Sequence, residues 1–116
     1  MTRGRQPLRA LNEAYAIAKK RGQVMEGLTE PDERYHFVLF TDGRTIFVKI
    51  QRINTKAIDP DEVLQDYRRG IAKLLRVPLT PVAGREFWAR STRGMWQFFS
   101  IGDGTATELR ADGSVR

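Results

Sequence analysis

The segment YHFVLFTDGRTIFVKIQRI, residues 35–53, constrains the fold of this chain more than any other stretch. Two runs of β-branched and aromatic residues flank Asp42-Gly43, a dipeptide that supplies the positive φ angles of a two-residue hairpin turn. If Asp42 and Gly43 form the turn, the pairing follows outward from it, and His36 faces Lys49. A three-residue loop would shift this register and exchange the two faces of the hairpin. The segment therefore predicts a β-hairpin with a defined register.

The register assigns the hairpin residues to two faces of a sheet. One face is an unbroken apolar surface that must pack on a helix, made of Tyr35, Phe37, Leu39, Ile46, Val48 and Ile50. The other face is apolar near the turn and polar at its open end, where it collects Arg34, His36, Lys49 and Gln51. With no facing carboxylate, this cluster is a candidate phosphate site. A solvated strand end, with long side chains covering apolar neighbours, explains the cluster equally well.

Helical spacing of apolar residues precedes the hairpin. Pro7 suits the first turn of a helix, and the spacing continues until Gly22, which predicts a helix over residues 7–21. Glu13 lies on its outer face, four residues after Arg9, where a helical ion pair accounts for it. A short strand is expected over residues 23–28.

A second helix follows the hairpin. Asp59 and Pro60 are typical of an N-cap and a first-turn proline, and Glu62 occupies the capping-box position. The apolar stripe of this helix faces the core, and its cations lie on the opposite side: Arg69, Lys73 and Arg76. Two strands over residues 86–91 and 95–101 then carry both tryptophans, and a last strand is possible over residues 105–110.

These elements predict one α/β domain over residues 1–116, a central mixed β-sheet flanked by helices in the order α-β-β-β-α-β-β. No linker is long enough to divide the chain. Residues 1–6 are expected to form a flexible basic arm and residues 111–116 a flexible tail.

Composition excludes several kinds of site. The chain has no cysteine, which rules out disulfides, Cys-ligated zinc, iron–sulfur clusters and thiol nucleophiles. Its one histidine, His36, cannot build a multi-histidine metal site. No run approaches the roughly 18 apolar residues of a membrane span, and the N-terminus lacks the apolar stretch of a secretion signal, so we expect a cytoplasmic protein without membrane contact.

The charge of the chain favours a polyanionic partner. Its formal net charge is +6, and fifteen of its twenty cations are arginine. Arginine presents a planar fork that matches phosphate oxygens and stacks on bases. A small basic domain dominated by arginine therefore points toward nucleic acid.

The order of elements and the hairpin residues resemble a known family. Over roughly residues 8–101 the chain is similar to restriction-endonuclease-like nucleases with the PD-(D/E)XK motif, and most similar to small archaeal Holliday-junction resolvases. In that family a helical Glu, an Asp on the first hairpin strand and a Glu-x-Lys on the second surround a divalent metal. Glu13 fits the helical Glu, and "FVKIQR", residues 47–52, fits the Glu-x-Lys strand. Lys49 stands in the place of the Glu, Gln51 in that of the Lys, and His36 in that of the Asp.

These replacements remove the oxygen ligands that Mg²⁺ requires. The resemblance thus implies a degenerate nuclease that retains the surface for nucleic acid but has no catalytic residues, metal or other cofactor. We expect noncatalytic binding of nucleic acid, DNA rather than RNA, through Arg34, His36, Lys49, Gln51, Arg52, Arg90 and Arg93. The resemblance to the resolvases also suggests a homodimer.

Two alternatives stay open from the sequence. One is a Mg²⁺-dependent DNA endonuclease that uses Glu13 and Asp32, with Lys49 polarising the phosphate. The other is a protein-interaction subunit, in which residues 87–101, FWARSTRGMWQFFSI, form the contact and the positive charge only keeps the chain in solution.

Overall fold

The computed structural model of this chain describes residues 8–26, 33–54 and 57–116. Within these residues, three helices and a six-stranded sheet follow one another in the order αβββααβββ. The elements are α1 (Leu8–Lys19), β1 (Gln23–Met25), β2 (Phe37–Thr41), β3 (Arg44–Arg52), α2 (Pro60–Asp66), α3 (Arg68–Leu74), β4 (Ala83–Arg90), β5 (Trp96–Ile101) and β6 (Ala106–Leu109). The radius of gyration, 13.0 Å, is that expected for one compact domain of this length.

The sheet is mixed, as predicted. Its strands lie side by side in sequence order, and every neighbouring pair is antiparallel except β3 and β4, which are parallel. Parallel neighbours need a crossover connection, and α2 and α3 provide it. The two helices therefore lie against one face of the sheet, and α1 covers the other.

The hairpin register is confirmed. Phe37 pairs with Val48 and Phe40 with Thr45. Asp42 and Gly43 have φ angles of 50° and 73°, the pair of positive values that defines a type I′ turn. Because this turn matches the twist of the flanking strands, it fixes which side chains face α1.

The apolar hairpin face packs on α1 as predicted, with one exception. Phe37, Leu39, Ile46, Val48 and Ile50 join α1 residues and Trp88 in one core cluster. Tyr35 does not join them. It packs against the second core cluster instead, and its ring lies 5.0 Å from that of Phe47. The alternation of faces does not extend to Tyr35 because β2 and its regular pairing begin only at Phe37, two residues later.

The second helix begins as predicted but is not continuous. Asp59 caps it with a complete capping box that includes Glu62, and Pro60 occupies its first turn. At Tyr67 the backbone leaves the helical region, with φ −119° and ψ 27°, and the chain restarts as α3. The Tyr67 ring packs toward Phe87 of β4, with 6.0 Å between the centroids. The single predicted helix is thus two short ones.

A buried ion pair fixes the end of α1 to the sheet. Arg21 donates to both carboxylate oxygens of Glu86 at 2.8 and 3.0 Å, and the side chains are only 8% and 6% exposed. Trp88 Nε1 also donates to Glu86, at 2.9 Å. Three hydrogen-bond donors therefore satisfy this carboxylate inside the protein.

The structure describes the C-terminal end of the chain but not residues 1–7. The predicted basic arm at residues 1–6 lies outside the described residues. Residues 110–116 turn back along β6: Leu109 forms a β-bridge with Val115, and Arg116 N donates to the Glu108 carbonyl at 3.1 Å. None of the helices in the described ranges has the length and apolar character required to cross a membrane.

Candidate nucleic-acid interface

The side chain of His36, just before β2, takes the place of a backbone hydrogen-bond acceptor. The backbone N–H of His36 donates to the Val48 carbonyl at 2.7 Å, and the imidazole Nδ1 accepts the backbone N–H of Ile50 at 2.8 Å. The pKa of His36 is lowered to about 4, mainly by burial and to a smaller extent by the positive charge of Lys49. At neutral pH the ring is therefore uncharged. Because the Nδ1 lone pair accepts the Ile50 N–H, the proton is on Nε2, which can only donate.

Lys49 lies on the sheet face covered by α3. The residue is only 6% exposed, and its Nζ donates to the Glu33 carbonyl. Gly70 of α3 leaves room for the lysine stem, because a Cβ there would lie 3.2 Å from Lys49 Cε, closer than an ordinary van der Waals contact. A glycine inside a helix costs about 1 kcal/mol relative to alanine. Here it lets α3 rest directly on the lysine stem.

The cations of α3 lie beside His36 and Lys49. A cleft of about 570 Å³ separates α3 from the end of β3 and the segment before β2. Ten residues line it: Glu33, His36, Lys49, Ile50, Gln51, Arg69, Gly70, Ala72, Lys73 and Arg76. We call it the cationic cleft.

The cationic cleft carries a strong local charge. Among the described residues, four cations line it, namely Lys49, Arg69, Lys73 and Arg76, against one carboxylate, that of Glu33. With His36 neutral, the lining has a net charge of +3. Glu33 Oε2 lies 3.5 Å from Lys73 Nζ, and both side chains are more than 40% exposed, so this contact is weak. Such a surface attracts phosphate.

Three of the seven predicted binding residues line the cationic cleft: His36, Lys49 and Gln51. The Gln51 amide also donates to the Arg52 carbonyl at 2.9 Å. Arg34 is half-buried just before β2 and is not part of the lining. Arg52 is exposed, and the alternation of β3 directs it to the α1 face. Of the four residues predicted to cluster at the open end of the hairpin, three thus line the cleft and Arg34 does not.

Arg90 is engaged elsewhere. It lies on the α1 face and donates to both oxygens of Glu13, at 2.9 and 3.1 Å. Trp96 Nε1 donates to the same carboxylate at 3.0 Å. These hydrogen bonds lower the pKa of Glu13 to about 2. Arg93 is exposed in the turn between β4 and β5, away from the cleft lining.

Three arginines make polar contacts inside the fold, so the high arginine content cannot all be attributed to a binding surface. Arg21 and Arg90 pair with carboxylates on the α1 face. Arg85 is 2% exposed and donates to the carbonyls of Leu75, Val77 and Ile101 and to Asp103. The abundance of arginine therefore reflects internal polar contacts as well as surface charge.

The residues of the metal-dependent alternative do not come together in the described part of the chain. Glu13 lies on the α1 face, and Lys49 lies on the face covered by α3, so the sheet separates them. Asp32 lies outside the described residues. Among residues 8–26, 33–54 and 57–116, no group of three or more His, Asp or Glu side chains is arranged to hold a metal ion.

Sequence reasoning missed the contribution of α3 to this site. Arg69, Lys73 and Arg76 recur at i, i+4 and i+7, a spacing that places them along one side of the helix. They were expected on the side away from the core. Only the crossover that brings α3 beside β3 makes them neighbours of Lys49.

Comparisons of this chain with family models, curated proteins and solved structures found no match.

Proposed function

We propose that this chain is a noncatalytic nucleic-acid-binding protein that holds backbone phosphates in the cationic cleft. The observation that carries the proposal is the convergence of buried Lys49, two cations of α3 and Arg76 just after α3 on one surface, where Glu33 is the one carboxylate among the described residues. Nucleic-acid affinity depends mainly on such phosphate neutralisation. The proposed partner is DNA, and the resemblance to restriction-endonuclease-like resolvases is the reason for preferring it to RNA.

The chemistry of His36 supports binding without cleavage. A general base needs a free lone pair, and the Nδ1 lone pair of His36 already accepts the Ile50 N–H. Its Nε2–H can donate to a phosphate oxygen but cannot take a proton from water. Lys49, the other residue in a ligand position of the resembled family, supplies a cation where that family needs an oxygen. The proposal therefore includes no catalytic residue and no cofactor.

The predicted residues outside the cleft contribute less to the proposed interface. Arg52 and Arg93 are exposed and remain proposed secondary contacts, whereas the Arg90 guanidinium is occupied by Glu13. An arginine that already makes two charge-assisted hydrogen bonds would have to break them to bind phosphate. We therefore assign it to the fold and centre the interface on α3 and β3.

The protein-interaction alternative has less support. In residues 87–101 the large side chains Phe87, Trp88 and Phe99 are fully buried in the domain's own core. Met95, at 64% exposure, is the large hydrophobic side chain of the segment that is exposed. A homodimer remains compatible with the proposal, as does the expected cytoplasmic location.

The proposal is tested by titrating the full chain into fluorescein-labelled duplex, four-way-junction and single-stranded DNA with Mg²⁺ or Mn²⁺ present. Anisotropy reports binding, and a denaturing gel of the endpoints reports cleavage. We expect binding that weakens steeply with salt, and intact DNA in every lane. Cleavage that requires the metal and disappears in Asp32→Ala would instead establish the endonuclease alternative. Absence of binding at low salt would exclude the proposal.

A further inference from the structure

Trp96 is a half-buried tryptophan at the same end of the sheet as Arg52. It is the first residue of β5, and the pairing places it in one row with Arg90, the last residue of β4, and Arg52, the last residue of β3. Because paired residues share a face of the sheet, the three side chains lie on the α1 face. Trp88, the other tryptophan of the chain, is fully buried. Trp96 is therefore the tryptophan that a ligand can reach.

Hydrogen bonding and ring packing hold the Trp96 indole in one orientation. Its Nε1 donates to the Glu13 carboxylate at 3.0 Å, and Arg90 donates to the same carboxylate at 2.9 and 3.1 Å. The Trp96 ring is nearly parallel to that of Phe98, with 6.5 Å between the centroids and 12° between the planes. An aromatic ring that is fixed before binding loses little conformational entropy when a ligand stacks on it.

The surroundings of Trp96 are positively charged. Arg52 is exposed in the same row, and the Nε of Arg9, whose side chain is 85% exposed, lies 3.7 Å from Oε2 of Glu13. The three cations Arg9, Arg52 and Arg90 against the carboxylate of Glu13 give this group a net charge of +2. Proteins that bind single-stranded nucleic acid combine cations that attract the phosphates with aromatic rings on which the bases stack. The row at the end of the sheet has both components.

This row is continuous with the cationic cleft. Gln51 lines the cleft, and Arg52 follows it directly in β3 with its side chain on the opposite face. Trp96 lies two strands from Arg52, about 10 Å across the sheet. A few nucleotides of single strand can bridge this distance and turn a base toward the ring. An internal base of a duplex is paired and stacked on its neighbours, so it presents no free face to Trp96.

We propose, on the basis of the proposed function, that the bound nucleic acid is single-stranded and that an unpaired base stacks on Trp96 while phosphates of neighbouring nucleotides lie in the cationic cleft. The two contacts differ in kind. The cleft supplies affinity that falls with salt, because it neutralises phosphates. Trp96 supplies affinity that does not depend on charge and that requires an unpaired base. Since every base has an aromatic face, this contact carries little sequence preference.

The inference is tested with three fluorescein-labelled DNAs of equal length, about 15 nucleotides per strand. One is a single strand with bases throughout, one is a single strand with the same phosphates on abasic sugars, and one is a duplex. We expect the full chain to bind the base-containing single strand about tenfold more tightly than the abasic strand, at every salt concentration. Trp96→Leu should abolish this difference and should leave the affinity for the duplex unchanged.

Phe40→Leu is the matched control. Phe40 is also an accessible aromatic residue, 37% exposed, but it lies beside the hairpin turn at the opposite end of the sheet and outside the cleft lining. This variant should keep the tenfold difference. Far-UV circular dichroism checks the fold of both variants. If Trp96→Leu does not fold, the tryptophan fluorescence of the wild-type chain replaces it. Because Trp88 is fully buried, the single strand should quench the emission of Trp96 and the duplex should not.

The outcomes separate this inference from the proposed function. Equal binding of the base-containing and abasic strands would overturn the stacking inference and leave phosphate binding by the cleft intact. An equal loss of affinity for single strand and duplex in Trp96→Leu would also overturn it, because Trp96 would then support the fold and not a base. Tryptophan emission that stays unchanged when the single strand binds would have the same meaning. No binding of any of the three DNAs would overturn both the inference and the proposed function.

Discussion

Arg69→Gln should lower the salt dependence of nucleic-acid binding, and its neighbour provides the control. Arg68 and Arg69 are consecutive, exposed and in the same helix, but only Arg69 lines the cationic cleft. Arg68→Gln therefore makes the same change in net charge and in side chain at a position outside the site. A difference between the two variants reports the position of the charge, because the total charge is equal.

The expected magnitude follows from the number of cations in the cleft. If all four, Lys49 to Arg76, contact phosphates, the logarithm of the binding constant should fall with the logarithm of salt concentration at a slope of about −2.8 for single-stranded DNA. Removing Arg69 should reduce the slope to about −2.1. Between about 50 and about 200 mM salt, the wild-type chain should lose about 50-fold in affinity, and Arg69→Gln about 18-fold.

Anisotropy titrations of a labelled single strand at several salt concentrations measure these slopes. Arg68→Gln should keep the wild-type slope. Equal slopes for the wild-type chain and Arg69→Gln would show that Arg69 makes no phosphate contact and would refute the assignment of one contact to each cation of the cleft. A lower slope for Arg68→Gln alone would place the contact on a different side of α3.

Three further predictions follow from single contacts. Glu33→Gln removes the one carboxylate that lines the cleft within the described part of the chain and should tighten DNA binding about fivefold at low salt; unchanged or weaker binding in the same anisotropy assay would contradict this. Glu86→Gln leaves the buried Arg21 guanidinium without its counter-charge and should lower the free energy of unfolding by about 3 to 5 kcal/mol in urea denaturation; a loss below about 1 kcal/mol would show that the pair is not structurally important. Because the pKa of His36 is about 4 when folded and 6.5 in its ordinary state, the unfolded chain binds more protons between these values, and stability should fall as pH decreases through this window, by at most about 1.4 kcal/mol per pH unit. His36→Asn, whose side-chain oxygen can accept the Ile50 N–H, should flatten this dependence in urea titrations at about pH 7 and about pH 5; an unchanged slope would exclude His36 as its origin.

Local signals in the sequence predicted much of the fold. The hairpin register depended on one dipeptide, and Asp42 and Gly43 adopt the two positive φ angles that the register required. The start of the second helix likewise depended on contacts within four residues, and Asp59 and Glu62 form the expected capping box. Patterns of this kind are readable because the interacting groups are close in sequence.

Long-range contacts were not predictable in the same way. Arg90 was assigned to a binding surface, yet it pairs with Glu13, 77 residues earlier in the chain. Lys49 was expected at a wet strand end, whereas α3 covers it. Both outcomes depend on how helices cross the sheet, which the hydrophobic pattern of a single chain does not specify. Tyr35 shows the same limit: it lies before the first residue of β2, where side chains no longer alternate strictly between the two faces of the sheet.

The most direct test of the cationic cleft as the nucleic-acid site is amide chemical-shift mapping of the ¹⁵N-labelled chain during titration with single-stranded DNA. We predict that the largest shifts fall on residues 69–76, in α3 and the turn after it, on residues 49–51 of β3 and on His36. Shifts confined to Arg9 and Arg52 on the α1 face and to Arg93 in the β4–β5 turn would contradict this prediction, because those residues lie outside the cleft lining.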